Sequence, residues 1–330
     1  MSAAPLRAGI IGLGWIARVH VPALDAAADI ELVAVCDTDL ERAEAIARPR
    51  GARAYASWEN MLDREKLDAL WVCTPPLSHR DPTLAALASG IHVYLEKPIA
   101  RTLDDAEAIV SGAKSADAVC AVGYQWHASE LVEEAREALA GQRVALLLGR
   151  NYGPVAGRPW FMDRAQGGGQ ILERGSHHID FQRAIAGEIS AVQAVAAREH
   201  LAQSDSEGSI DDAIGMVFHF ESGALGSVYS AWSREGQPEL YSTDILATDA
   251  TIALELGPDA FRISGLSRRR SLAREFGDPM NRSFARFLEA ARSGNGELVF
   301  CSPQDALRTL AVALACERAL EDGGRIEVWS

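Results

Sequence analysis

Residues 7 to 24 read RAGIIGLGWIARVHVPAL, an apolar strand-like run interrupted by Gly12-Leu13-Gly14-Trp15-Ile16-Ala17 and resumed at helical spacing. A strand, a G-x-G-x-x-A turn and a helix in immediate succession is the pattern of a dinucleotide-binding βαβ unit. Gly12 permits the tight turn, Gly14 removes a side chain where a pyrophosphate must approach the backbone, and Ala17 lets helix and strand pack closely. Trp15 and Ile16 open the helix, whose N–H groups and positive dipole end favour phosphate. Glycines also serve plain turns, so the reading depends on the next strand. That strand, ELVAVCD, ends on Asp37, about twenty residues past the glycines, where a carboxylate accepts both ribose hydroxyls of an adenosine. Asp37 would repel a 2′-phosphate, which favours NAD over NADP, although Arg42 lies one helical turn further on.

The alternation continues with a helix near 39–48, a strand around Tyr55, a helix from Ser57, the strand LDALWVC, a helix through 81–89, the strand IHVYLE, a helix near 103–115 and the strand AVCAVGY. Strands alternating with helices build a parallel, doubly wound sheet with ligands at the C-terminal ends of its strands. Two loops at that edge carry polar groups. In CTPPLSH, Thr74 and Pro75 lead to His79, which reads equally as a helix-start residue; in LEKP, Glu96 and Lys97 precede Pro98. An X-Pro bond is where a cis peptide is cheap, and one here could aim Lys97 across the strand ends.

Beyond residue 125 the pattern changes. RVALLLGRNY, AVQAVAARE, DAIGMVFHF, ALGSVYSAW, STDILAT and TIALEL succeed one another with no long helix between most of them, and ESG at 221–223 signals a hairpin. This half is expected to be a sheet of hairpins, needing cover on its open face and therefore a homo-oligomer. At 330 residues the chain has room for two domains, divided here as 1–125 and 126–330. A formal net charge of -14 excludes nucleic acid and anionic membrane as expected partners. With no apolar run near the roughly 18 residues of a membrane span and no signal-like N-terminus, a cytoplasmic protein is expected. The five cysteines form no CxxC pair and read as buried free thiols.

With GIIGLGWIA (9–17), VCTPPLSH (72–79), EKP (96–98), GGGQILERGSHHID (167–180) and SPQDALRTLAVALACERAL (302–320) in this order, the chain resembles the Gfo/Idh/MocA family, named from glucose-fructose oxidoreductase, inositol dehydrogenase and a rhizopine-catabolism protein. The resemblance covers nearly the whole length. It implies an α/β protein with an N-terminal Rossmann domain and a C-terminal α/β domain on a large, mostly antiparallel open sheet, closing on a helix near 303–321. Similar proteins are commonly dimers or tetramers. In such enzymes the EKP lysine and the acid and histidine of a D-x-G-x-H-x-x-D pattern line the nicotinamide pocket. The matching positions are Lys97, Glu173, His177 and Asp180, with Glu173 standing where Asp is commoner.

Oxidising a secondary alcohol removes a hydride from carbon and a proton from oxygen, and a base of near-neutral pKa serves the second task. His177 is the expected acid/base, Lys97 its partner at the reacting oxygen, and Glu173, four residues before His177, shares its face if the segment is already helical. Three glycines, Gly167 to Gly169, turn the chain into this helix. Glu173, His177 and His178 could also be read as metal ligands. Adjacent histidines diverge by about 100° on a helix, however, so no metal is expected. Asp180 is either a substrate contact or a helix-internal partner of Arg183. The loop NYGPVAGRPWFMDRAQ offers Tyr152, Arg158 and Trp160 as substrate-side groups, and Gln125 and Trp126 suit hydroxyls and a sugar ring face.

The expected protein is an NAD(P)-dependent oxidoreductase acting on a sugar, cyclitol or related polyhydroxy compound. Two other readings stand beside it: a redox-assisted glycosidase or lyase with tightly held NAD, and a non-catalytic, nucleotide-dependent sensor.

Overall fold

The computed structural model describes residues 4–154, 159–198, 210–233, 239–257, 260–267 and 270–329. They form two compact units, 1–123 with 283–307, and 124–282 with 308–330.

The first unit alternates β1 (Leu6–Ile11), α1 (Ala17–Ala26), β2 (Ile30–Cys36), α2 (Leu40–Ala47), β3 (Arg53–Tyr55), α3 (Trp58–Arg64), β4 (Ala69–Val72), α4 (Arg80–Ala88), β5 (His92–Leu95), α5 (Leu103–Ser115) and β6 (Cys120–Val122). The strands are parallel in the order β3-β2-β1-β4-β5-β6. That order reverses between β1 and β4, the switch point at which doubly wound sheets bind ligands. β4 is buried at every residue and β5 at all but its first, as a sheet covered on both faces requires. Trp71 stacks on Tyr94 with ring centroids 6.0 Å apart, and Phe287 meets both rings edge-on at 5.3 and 5.5 Å. Phe287 arrives late in the chain, so the core of this unit closes only after residue 283 returns to it. Each such buried aromatic contributes roughly 1.5–3 kcal/mol.

The second unit holds α6 (Glu130–Leu139), β7 (Val144–Pro154), α7 (Pro159–Met162), α8 (Arg164–Gly167), a π-helical turn over Ile171–Gly175, α9 (Ser176–Ala186), β8 (Ile189–Ala197), β9 (Ala213–Phe220), β10 (Leu225–Ser233), β11 (Leu240–Ala247), β12 (Ala250–Leu256), β13 (Phe261–Ser267) and β14 (Arg270–Phe276). Then come α10 (Pro279–Ser293), α11 (Pro303–Asp322) and β15 (Ile326–Glu327). The sheet order is β14-β13-β12-β11-β7-β10-β9-β8-β15, and ESG turns between β9 and β10 with Gly223 at φ 85°. All neighbours are antiparallel except β7 and β10. A parallel pair cannot be joined by a hairpin and needs a long crossover. Here the crossover carries α7, α8, the π-turn and α9, so GGGQILERGSHHID is laid across the sheet.

The pleat then sorts residues by face. On β7, Leu147, Gly149, Asn151 and Gly153 are buried on the face that α9 covers, whereas Leu146, Leu148, Arg150 and Tyr152 alternate with them on the other face. By the same register, that second face carries Val195, Leu225, Tyr229, Leu246 and Leu266, all exposed. All five cysteines are buried free thiols. Among the described residues no helix is long and apolar enough to cross a membrane.

Candidate active site

In the first unit the site begins at the glycine turn. Gly12 has φ 85°, and a Cβ there would lie 2.7 Å from the Cys73 carbonyl, so only glycine lets β1 and β4 approach at the switch point. A Cβ on Gly14, by contrast, would meet no atom within 4 Å. That open ground lies beside the start of α1, which no side chain caps, whereas Asp39, Ser57 and Thr102 cap α2, α3 and α5. A helix start without a side-chain cap, over an open glycine, suits a pyrophosphate, so these residues fit a dinucleotide. Trp15 is 56% exposed at the same turn and Ile16 is half-buried, while Ala17 is buried against the core.

Asp37 closes this end of the site. Its Oδ2 accepts the Leu13 N–H at 2.7 Å and its Oδ1 accepts the Asp39 N–H at 2.9 Å, which ties the carboxylate to the glycine turn. Arg42 adds an ion pair to Asp37 at 3.1 Å and another to Asp39 at 3.0 Å, with its own side chain half-exposed. The cation that could meet a 2′-phosphate is thus held by the carboxylate that would repel one.

The two loops expected at the strand ends are joined by a histidine. Thr74 and Pro75 are half-buried, with Thr74 Oγ1 donating to the Ser78 carbonyl at 3.2 Å. His79 is fully buried, its Nε2 2.8 Å from the Thr74 carbonyl and its Nδ1 3.0 Å from the Pro98 carbonyl. Burial lowers its pKa despite these acceptors. The structure therefore makes His79 a strut beneath the loops, not a surface for cofactor. Glu96 likewise turns inward, 6% exposed. Lys97 is half-buried at a cis Lys97–Pro98 bond.

In the second unit, Gly168 and Gly169 take φ 73° and 59° and deliver the chain into the π-turn. The expectation of a plain helix from Ile171 is corrected here: five residues wind with a wider turn before α9 begins. The turn is tightly packed. A Cβ on Gly175 would stand 2.8 Å from Met216 of β9, and one on Gly153 would stand 2.5 Å from the Arg174 guanidinium. In a regular α-helix, residues four apart are offset by about 40°; the wider turn reduces that offset between Glu173 and His177, both half-buried.

His177 lies 5.9 Å from the Tyr124 ring and 5.1 Å from the Trp126 ring. Trp126 is also surrounded by His178, Phe181 and Tyr241 at 4.9, 6.4 and 5.7 Å and is 6% exposed. It packs behind His177 and offers no open ring face, contrary to the expectation that it stacks on a sugar. Gln125 beside it is half-buried in a 3-10 turn, Gln125–Ala128. His178 is fully buried near Thr243, and burial pushes its pKa down to about 3, so it packs as a neutral ring.

Asp180 is 1% exposed and does not face a substrate. Its Oδ1 accepts from Thr309 Oγ1 at 3.2 Å, and its Oδ2 lies 3.3 Å from His127 Nδ1. Arg183 donates to the same Thr309 at 2.7 Å and grips Glu188 at 2.8 Å. Asp180 and Arg183 thus meet through a threonine of α11, which fixes α9 from below. Tyr152, another expected substrate contact, stands on the sheet face opposite Asn151 and Gly153, because neighbouring strand residues alternate. Trp160 is half-buried against Phe161, with ring centroids 6.0 Å apart. Arg158 lies outside the described residues.

Sequence reasoning passed over Arg174, Trp232 and Tyr241. The Arg174 guanidinium sits 4.4 Å over the Trp232 ring and donates to Tyr241 Oη at 3.2 Å. Burial lowers its pKa, although the nearby Tyr241, Glu239 and Glu173 act against the shift. Its position beside Glu173 was the one available signal; its partners on β10 and β11 come from sheet register.

A parallel six-stranded sheet with an open glycine cradle at its switch point defines a dinucleotide-binding protein of Rossmann type. Residues 6–124 match the family description "Oxidoreductase family, NAD-binding Rossmann fold", and residues 143–253 match "GFO/IDH/MocA C-terminal domain". The chain is 32% identical over 236 residues to 1,5-anhydro-D-fructose reductase of Ensifer adhaerens, covering 69% of this chain and 70% of the relative. It is 30% identical over 270 residues to D-glucoside 3-dehydrogenase of Escherichia coli K12, covering 78% and 73%. A solved structure of levoglucosan dehydrogenase in complex with NADH shares the fold, with a TM-score of 0.85 at 21% identity over 98% of this chain and 99% of that one. The chain belongs to the Gfo/Idh/MocA family and is an NAD(P)-dependent oxidoreductase.

Proposed function

We propose that the protein moves a hydride between nicotinamide and a carbinol carbon of a sugar, cyclitol or related polyhydroxy compound, with NAD favoured over NADP. The observation that carries this reading is His177, half-buried in the first turn of α9 directly after a π-turn, in a chain whose relatives are dehydrogenases and reductases named for sugars. Gly12, Gly14, Trp15, Ile16, Ala17 and Asp37 would hold the dinucleotide, which when bound supplies the hydride acceptor or donor. His177 exchanges the hydroxyl proton, since imidazole titrates near neutrality. Glu173 orients the ring, and Lys97 donates a hydrogen bond to the same oxygen and stabilises the charge that develops there. Gln125 and Trp160 contribute on the substrate side. Relatives named for net oxidation or reduction do not favour the glycosidase, lyase or sensor readings.

A panel of sugars, sugar acids and inositols, each with NAD and with NADP, tests this by nicotinamide absorbance. A substrate-dependent change is expected with at least one polyol. Failure to bind either cofactor by calorimetry would end the enzyme reading. A second copy of this chain is the occupant best suited to the sheet face bearing Val195, Tyr229 and Leu266, which are 70%, 53% and 65% exposed. Sedimentation reads this directly, and a homodimer or homotetramer is expected.

A further inference from the structure

Lys97 comes directly after a carboxylate that is committed entirely to the protein interior. Glu96 Oε1 lies 2.7 Å from Nε2 of His20 on α1, and Glu96 Oε2 accepts the Lys97 backbone N–H at 3.1 Å. Gly123 is drawn so close that a Cβ there would stand 3.2 Å from Oε1. A carboxylate buried this deeply persists only when its oxygens are paired. His20 is fully buried, with its ring edge-on to Tyr94 at 5.4 Å. Its Nε2–H donates to Glu96, and its Nδ1 has no hydrogen-bond partner among the described residues. A bare Nε2 would set two acceptors face to face, so the geometry requires the proton on Nε2.

We infer that His20 and Glu96 are a positioning pair for Lys97: the imidazole on the cofactor-binding helix holds the Glu96 carboxylate, which fixes the Lys97 main chain and places a permanent negative charge one residue from its ammonium. This rests on the reading of Lys97 as the donor to the reacting oxygen. The pair gives that role a physical basis, because a main chain fixed beside the lysine limits the directions its ammonium can take. Burial pushes the Glu96 carboxyl up, but the His20 hydrogen bond and charge, with those of Lys97, bring it below its ordinary value. Cys73, His79 and Tyr94 are the other titratable groups that feel the Glu96 charge; burial raises the first and third and lowers the second. The pair also joins two parts of the cofactor site, since His20 stands on the helix entered from the glycine turn. Dinucleotide held at α1 therefore steadies the Lys97 loop.

The chain has only three lysines, Lys66, Lys97 and Lys114, so protein labelled with ¹³C at lysine Cε gives three resonances, and Lys97→Met assigns one of them. In His20→Phe, which keeps volume and loses the N–H, and in Glu96→Gln, which loses the charge, the pH midpoint of the Lys97 resonance should fall by about half a unit or more. Lys66 and Lys114 should not move. His20→Gln, whose amide N–H can replace the imidazole donor, should restore the wild-type midpoint. NAD should shift the Lys97 resonance in wild type and shift it less in His20→Phe. A Lys97 midpoint unchanged in a folded His20→Phe overturns the proposal; should that variant not fold, an unchanged midpoint in Glu96→Gln does so. The titration needs neither cofactor nor substrate. Loss of the functional reading would instead appear as wild-type protein that binds no dinucleotide while the Lys97 midpoint still responds to Glu96→Gln.

Discussion

Two glycine-led helix entries, one after β1 and one before α9, use the same residue to opposite ends. At the first, Gly14 leaves open ground before an uncapped helix, and the backbone itself is presented. At the second, the glycines and their neighbours are filled by protein: Leu172 against Gly168, Arg174 against Gly153, Met216 against Gly175. The first entry is therefore a surface for binding a ligand through N–H groups. The second is a packed platform that presents side chains. A ligand that is the same in many enzymes can be gripped by main chain, whereas proton transfer requires a particular side chain held in a particular direction.

Separating binding from chemistry is the strongest way to break this comparison. His177→Ala should lower kcat by about 10³-fold, within the usual range for loss of a general acid or base, while NADH binding measured by fluorescence stays unchanged. Loss of cofactor affinity, or unaltered turnover, would dissolve the division. The packed nature of the second entry gives the next effect. His178 is neutral in the fold down to about pH 3, whereas the unfolded chain protonates it below its ordinary value of 6.5. The unfolded state then binds more protons in that window, so stability falls as pH drops from 6.5 toward 3. The loss is on the order of 3 kcal/mol at pH 4. His79 adds to the slope in the same direction, its pKa also being lowered by burial. His178→Leu should flatten part of the fall in melting temperature, and an unaltered slope would mean the ring is not desolvated. The smallest effect sharpens the first entry. Asp37→Ala should weaken NAD by about tenfold, or 1.4 kcal/mol, and improve NADP relative to NAD, because Arg42 loses its partner at 3.1 Å.

The first unit was legible almost throughout, because each strand, turn and helix is announced within a few residues of itself. Asp39, Ser57 and Thr102 cap helices where the pattern begins them. The strand runs of the second unit were legible too, since apolar alternation is local. What could not be read was pairing. The parallel β7/β10 contact, the strands β13 and β14, and the helices α6 and α10 depend on distant partners. For the same reason the expected roles of Tyr152, Trp126 and Asp180 changed. Tyr152 belongs to the opposite face by one residue of pleat, Trp126 is enclosed by four rings, and Asp180 is bound to Thr309, far along the chain.

The glycine turn, the acidic residue ending β2, the lysine before Pro98 and the histidine after the triple glycine are legible from local pattern alone, because each is marked by its immediate neighbours in the chain. Only the folded chain decides that Glu96 faces His20, that Arg174 lies on Trp232, and that the chain before His177 winds as a π-turn. These depend on atoms brought together across the sequence, where close packing admits one arrangement and local pattern gives no sign of it.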